Sequence, residues 1–230
     1  MLHGPRPVRN LAPAASLLVA GVLLVTAVNA CSPADTGPAE ALVETAPGNF
    51  MRGTILPGES LSFRACGQEG ALPLRPTDLF TRNLLDEITA SGRPIYAEFL
   101  GRVGGRVPTM TLGRLVHATG EGRGCALPTP DYELRAHGNE PFWSVEIRDE
   151  NVIWKTPENI EGLSLEVTSR AEVGNGWLLE AATDGSHLGV SFAGTPCRDS
   201  MADAWFGYTV QLELDGVEYR GCGRSGHDGG

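Results

Sequence analysis

From Trp205 to Leu214 the chain alternates: Phe206, Tyr208, Val210, Leu212 and Leu214 fall on one side, and Trp205, Gly207, Thr209, Gln211 and Glu213 on the other. A two-residue period marks a strand with one face in a core and one in water. Residues 205–215 are therefore expected as one half-buried antiparallel strand, with Trp205 on its exposed side. Asp215-Gly216 then leads into VEYRGCG, and an Asp-Gly pair between strand-like segments predicts a two-residue hairpin turn. Further short strands are expected around Trp143-Val145-Ile147, 151–155, 163–167, 177–181 and 188–192, with turns at 149–151 and 174–176. Seven or eight strands in so short a stretch predict a closed or nearly closed antiparallel barrel, which leaves no exposed edge.

The preceding part reads differently. MRGTIL and LSFRAC flank Pro57-Gly58 and predict a hairpin. In TDLFTRNLLDEITASG, Phe80, Leu84 and Ile88 recur every fourth position with Leu85 beside them, which predicts one amphipathic helix. Thr77 is placed to cap it, Asp78 suits its positive end, and Gly92 and Pro94 end it. PIYAEFLGRV and MTLGRLVHAT follow as two more strands, and PTPDY at 128–132 forms a proline-stiffened joint.

The first thirty residues stand apart. Arg6 and Arg9 precede an apolar run, Ala14 to Ala27, that is shorter than a membrane span and leads into Val28-Asn29-Ala30-Cys31, the pattern of a secretory signal peptide. The segment resembles a bacterial lipobox, although Asn29 stands where such a box has a small residue. That resemblance implies lipidation of Cys31, which becomes the mature N-terminus and attaches the protein to a membrane. Ser32 after the cysteine implies sorting to an outer membrane, facing the periplasm; plain secretion is the alternative. Residues up to Gly48 are small, acidic and proline-bearing, with too little apolar surface to fold, and read as a tether.

Loss of Arg6 and Arg9 leaves 16 basic against 28 acidic residues, a net charge of −12. A field of that sign repels polyanions, and no basic cluster with interleaved aromatics exists, so nucleic acid is excluded as a partner.

With Cys31 set aside, Cys66, Cys125, Cys197 and Cys222 allow three pairings. The one that respects the joint is Cys66–Cys125 with Cys197–Cys222, one staple per module. A four-cysteine zinc site is the competing reading, but it requires closely spaced thiolate pairs such as Cys-x-x-Cys, and none is present. No metal site and no cofactor are expected. The expected fold class is mainly β: two small antiparallel modules, the first with a single helix, the second barrel-like, each with one disulfide. The expected organisation is a signal peptide at 1–30, a lipidated N-terminus and flexible tether at 31–49, a β-rich module at 50–127, the joint at 128–132, the barrel-like domain at 133–224 and a disordered tail at 225–230.

The richest stretch for chemistry is HGNEPFWSVEI at 137–147. Pro141 forces Glu140 out of helical geometry, and Gly138-Asn139 tolerate a turn that delivers Trp143 into a core. A ligand or partner lip formed by His137, Asn139, Glu140 and Trp143 is the alternative. Arg198 is placed to join such a surface and to pair with a nearby acid, Asp199 or Ser200 to cap a turn, and Trp205 to supply an exposed aromatic contact. No nucleophile elbow, His-Glu-x-x-His or phosphate loop accompanies them, so no catalytic residue is assigned.

GNEPFWSVEI, together with PCRDSMADAWFGYTVQLELDGVEYRGCGR at 196–224, resembles a family of bacterial envelope lipoproteins whose C-terminal part is similar to META-type β domains. RGTILPGESLSFRACG with RPIYAEFLGRV resembles the N-terminal part of the same family and, more loosely, copper-responsive outer-membrane lipoproteins. The Cys-x-x-Cys of the latter is absent, so metal sensing is not implied. The resemblance implies a non-enzymatic envelope protein with a binding or maintenance role. Its expected partners are another envelope protein, cell-wall material or a small apolar ligand. Two alternatives are an inhibitor of a lysozyme-type cell-wall hydrolase and an envelope hydrolase using His137 and Glu140.

Overall fold

The computed structural model describes residues 48–226. The expected signal peptide, Cys31 and the tether as far as residue 47 lie outside the described residues. Strands β1 (Asn49–Leu56), β2 (Ser62–Ala65) and β3 (Leu72–Pro76) precede helix α1 (Leu79–Ile88), and β4 (Ile95–Gly104) and β5 (Thr109–Thr119) follow it. β1 pairs with β2, β2 with β3, β3 in parallel with β5, and β5 with β4, which returns to β1. The circuit is a five-stranded Greek-key barrel, an architecture shared with OB-folds. β3 carries no clear sequence signal because Pro73 and Pro76 remove two ladder donors, and its ladder with β5 covers only Leu74 to Pro76. Asn49 opens β1 opposite Gly101, so the first module begins one residue inside the expected tether.

Ile55, Phe63, Phe99, Met110, Leu112 and Leu115 fill this barrel, and Leu84, Leu85 and Ile88 of α1 pack into the same core. Phe80 is exposed instead: the buried stripe is Thr81, Leu84, Leu85 and Ile88, and Phe80 lies about 100° to one side of its centre. The cap is Asp78 rather than Thr77. Asp78 Oδ1 accepts the Thr81 amide at 2.7 Å, and Thr77 donates its hydroxyl to the other carboxylate oxygen.

The second barrel is an eight-stranded meander: β6 (Leu134–Asn139), β7 (Phe142–Arg148), β8 (Asn151–Thr156), β9 (Asn159–Val173), β10 (Gly176–Thr183) and β11 (Ser186–Ala193) continue, past an inserted hairpin, into β14 (Tyr208–Leu214) and β15 (Val217–Ser225). β15 pairs with β6 and closes it. At the β14–β15 turn Asp215 and Gly216 both have positive φ, as the expected two-residue turn requires. The interior is occupied by side chains, including Trp143 stacked on Trp154 at 5.4 Å, Phe192 and Tyr208. β15 carries buried Ser225, and the Gly226 amide donates to Glu133 O, so order runs past the expected end of the domain at 224.

The inserted hairpin corrects the largest expectation. β12 (Cys197–Asp199) and β13 (Ala204–Phe206) leave the second barrel, and β13 pairs with Thr119 to His117 of β5 in the first. The alternation from 205 to 215 is thus two strands in two sheets, not one strand. The change of sheet falls at Gly207, whose amide donates to Val116 O at 2.9 Å. A Cβ there would collide with the Leu115 carbonyl, so only glycine permits the crossing. Trp205, expected on an exposed face, is half-buried against the first core because β13 belongs to that sheet.

Both disulfides form as expected, Cys66–Cys125 and Cys197–Cys222. The second ties the lent hairpin to β15.

Candidate functional site

The hairpin arches over the outer wall of the second barrel and makes an open groove of about 430 Å³ there. Its position follows from strand register. On β6, Leu134, Ala136 and Gly138 face the barrel interior, which sends His137 and Asn139 outward. Gly138 is obligatory inside: a Cβ would overlap the Trp143 indole. His137 lies opposite Cys222 on β15, and Cys222 opposite Thr209 on β14.

Asp199 locks the hairpin over this wall. Its carboxylate accepts His137 Nε2 at 3.1 Å, Asn139 Nδ2 at 2.8 Å, and the amides of Met201 and Ala202 in the hairpin turn. Burial opposes ionisation of this group. The hydrogen bonds from His137, Met201, Asn139 and Ala202 outweigh it and hold the carboxyl below its ordinary value. Phe206 packs between two imidazoles, edge-on to His137 at 4.8 Å and tilted against His117 at 5.0 Å.

Beneath lies the seam between the barrels. Glu98 of β4, 1% exposed, accepts the Tyr96 hydroxyl at 2.6 Å and Arg224 of β15 at 3.0 Å, with Arg52 at 3.5 Å. Burial and the bond to Glu98 push the Tyr96 phenol up to about 12. Arg52 also holds the joint through Leu127 O and Thr129 Oγ1. His117 faces this seam. Its Nδ1 has no hydrogen-bond partner among the described residues, and burial, then the charges of Arg224 and His137, push its pKa down to about 3. It is a neutral imidazole at ordinary pH.

The structure sorts the sequence-derived residues. His137, Asn139 and Arg198 line the groove together. Arg198 also pairs with Asp203 at 3.1 Å and lies over the Trp205 ring. Glu140 sits exposed in the turn after β6, at a cis peptide bond to Pro141, and the acidic partner of His137 is Asp199 instead. Trp143 is core, 4% exposed. Gln211 and Arg220 also line the groove and were not singled out as site residues in the sequence. The Asp-Gly turn offered the signal: pairing Leu214 with Val217 places Gln211 opposite Arg220 on the outer face.

Among the described residues, no group of three or more His, Cys, Asp or Glu side chains is placed to hold a metal ion. No described helix is long and apolar enough to cross a membrane. In comparisons with known proteins the chain matches no family model, no curated protein and no solved structure.

Proposed function

We propose that this is an exported, lipid-anchored envelope protein that acts by binding, and that its binding surface is the outer wall of the second barrel beside the lent hairpin. The observation that carries the reading is the contrast between a barrel interior packed with aromatic and aliphatic side chains and an open groove on its outside, lined by His137, Asn139, Arg198, Gln211 and Arg220 over a largely apolar floor. A packed interior leaves the wall as the place for recognition, which argues against a small apolar ligand inside the barrel. His137 and Asp199 spend their hydrogen bonds on closing the hairpin, an arrangement suited to holding a surface rigid. The two disulfides fit an oxidising compartment. Anchoring through Cys31 and a tether concentrates even weak contacts at a membrane surface.

Two measurements test this. Intact mass of the native protein should show a diacylated N-terminal cysteine and four bridged thiols; an unmodified chain starting at Met1 contradicts export and anchoring. Photo-crosslinking from Gln211 in intact cells should capture envelope material; a label confined to the cytoplasm contradicts the location.

A second reading, an inhibitor of a basic, lysozyme-type cell-wall hydrolase, is favoured by charge. Residues 128–226 carry 17 acidic and 7 basic side chains, whereas residues 48–127 carry 7 and 9. Such asymmetry steers a basic partner toward the second barrel. Salt-sensitive inhibition of a lysozyme-type muramidase would support it, and unchanged lysis rates at low salt would exclude it.

A further inference from the structure

The groove does not end at the hairpin. A second depression of about 290 Å³ lies beside it, and the two share Gln211 and Arg220 in their walls. Together they form a trough running around the outside of the barrel. Ladder pairing sets its floor in two rows. Arg220 lies opposite Gln211, Gln211 opposite Ser191, and Ser191 opposite Leu178. Two residues along each strand, Glu218 lies opposite Glu213, Glu213 opposite Gly189, and Gly189 opposite Glu180. At strand spacing each row spans about 14 Å, and the rows lie about 7 Å apart.

The rows differ in chemistry. The first offers a guanidinium, an amide, a hydroxyl and, at its far end, Leu178, an exposed apolar side chain. Arg220 is exposed and has no ion-pair partner among the described residues. The second row is acidic, and the two carboxylates at its β15 end, Glu213 and Glu218, face each other directly across the ladder, a juxtaposition that costs stability unless a cation sits between them. Glycine at 189 leaves a notch in that row, beside the Glu180 carboxylate. Glu180 is also bonded to His187 at 3.1 Å. A free guanidinium on one side and paired carboxylates on the other, within one trough, complement a ligand carrying both charges at a spacing of about 7 Å or more.

We propose that this trough binds a short extended peptide with a free α-carboxylate and a basic side chain two or three residues upstream. The carboxylate pairs with Arg220 as a bidentate guanidinium contact. The peptide amides meet Gln211 and Ser191, and the ammonium lies between Glu213 and Glu218. Four extended residues cover about 13 Å, which matches the rows. The inference deepens the binding reading above and rests on it.

The test uses the full-length native protein and four probes: Ac-Lys-Ala-Ala-Ala with a free carboxylate, the same peptide amidated, the norleucine analogue, and neutral di-N-acetylchitobiose. Affinities come from backbone amide shifts of β14 and β15. The free-acid lysine peptide should bind saturably, and amidation or norleucine should each weaken it about fivefold, the worth of a good exposed ion pair. Arg220→Gln should erase the difference between acid and amide while leaving the lysine preference; Glu213→Gln with Glu218→Gln should do the reverse. Both sites are exposed, and native amide dispersion in each variant confirms that it folds, with the double glutamine variant unfolding at the same or a higher temperature because the opposed carboxylates are gone. Equal affinity for all peptides, or no saturable shift with any of them, overturns the proposal. Saturable binding of the disaccharide alone overturns the peptide class while leaving a binding protein, and the intact-mass result on anchoring is independent of either.

Discussion

The first barrel has five strands of its own and takes two from its neighbour; the second has eight and gives two away. The second barrel is a meander in which six of the eight strand pairings join chain neighbours, the others being β11–β14 across the hairpin and β15–β6 at the closure, and its core draws only on its own residues. The first depends on outside help: Trp205 covers part of its core, β13 extends β5, and Glu98 is neutralised by Arg224 from across the seam. The contrast teaches that the sequence boundary between modules is not the energetic one. The lent hairpin ties the barrels together, and the same hairpin builds the groove.

Breaking the seam should have the largest effect. Glu98→Ala strands Arg224 and Arg52 beside a buried site, and removing one partner of such a group costs about 3–5 kcal/mol. Urea unfolding should show both barrels weakened together. Weakening of the first barrel alone would mean that the seam is peripheral.

Loss of the disulfides sharpens the comparison. With sequence separations of 59 and 25, Cys66–Cys125 and Cys197–Cys222 contribute at most about 4 and about 3.5 kcal/mol in the loop-entropy treatment. Replacing Cys197 and Cys222 by serine should also shift the His137 ring resonances, because the hairpin is freed to lift Asp199 away. Replacing Cys66 and Cys125 should leave those resonances in place.

Acid should reach the seam next. Unfolded His117 binds a proton below its ordinary 6.5, whereas the buried ring does so only near 3. Between those values the unfolded chain holds more protons, so stability falls as pH falls. Linkage gives about 3 kcal/mol lost from pH 7 to pH 4. In His117→Phe that portion of the pH dependence should vanish, and an unchanged slope in denaturant titrations at several pH values would refute the assignment. The smallest effect belongs to α1: Asp78→Ala should cost about 1 kcal/mol through the lost cap, and Thr77→Ala less.

Much of this fold was legible in the sequence, and the exceptions have physical causes. The Asp-Gly hairpin, both disulfide pairings and the barrel of alternating strands are local or covalent features that periodicity and cysteine position report directly. β3 was hidden by its prolines. The division of 205–215 was hidden because alternation survives when a strand changes sheet, and Gly207 is its single mark. Trp205 therefore looked exposed when it packs, half-buried, against the core of the other barrel. At the site, HGNEPFW indicated a turn that delivers Trp143 into the core, but Gly138 and Asn139, expected in that turn, belong to β6 and the turn falls at Glu140-Pro141; Asp199, 62 residues away from His137, could be joined to the site only by the fold.

Hydrogen exchange tests the central claim, that the lent hairpin makes two barrels one cooperative body. Amides of β5, β13 and β14, with Gly207, are followed through a denaturant series below the unfolding transition. Opening free energies in all three strands should converge on a single global value. Amides of β13 and Gly207 opening several kcal/mol earlier, with β5 and β14 converging on separate values, would show two independent barrels joined by a loose strap.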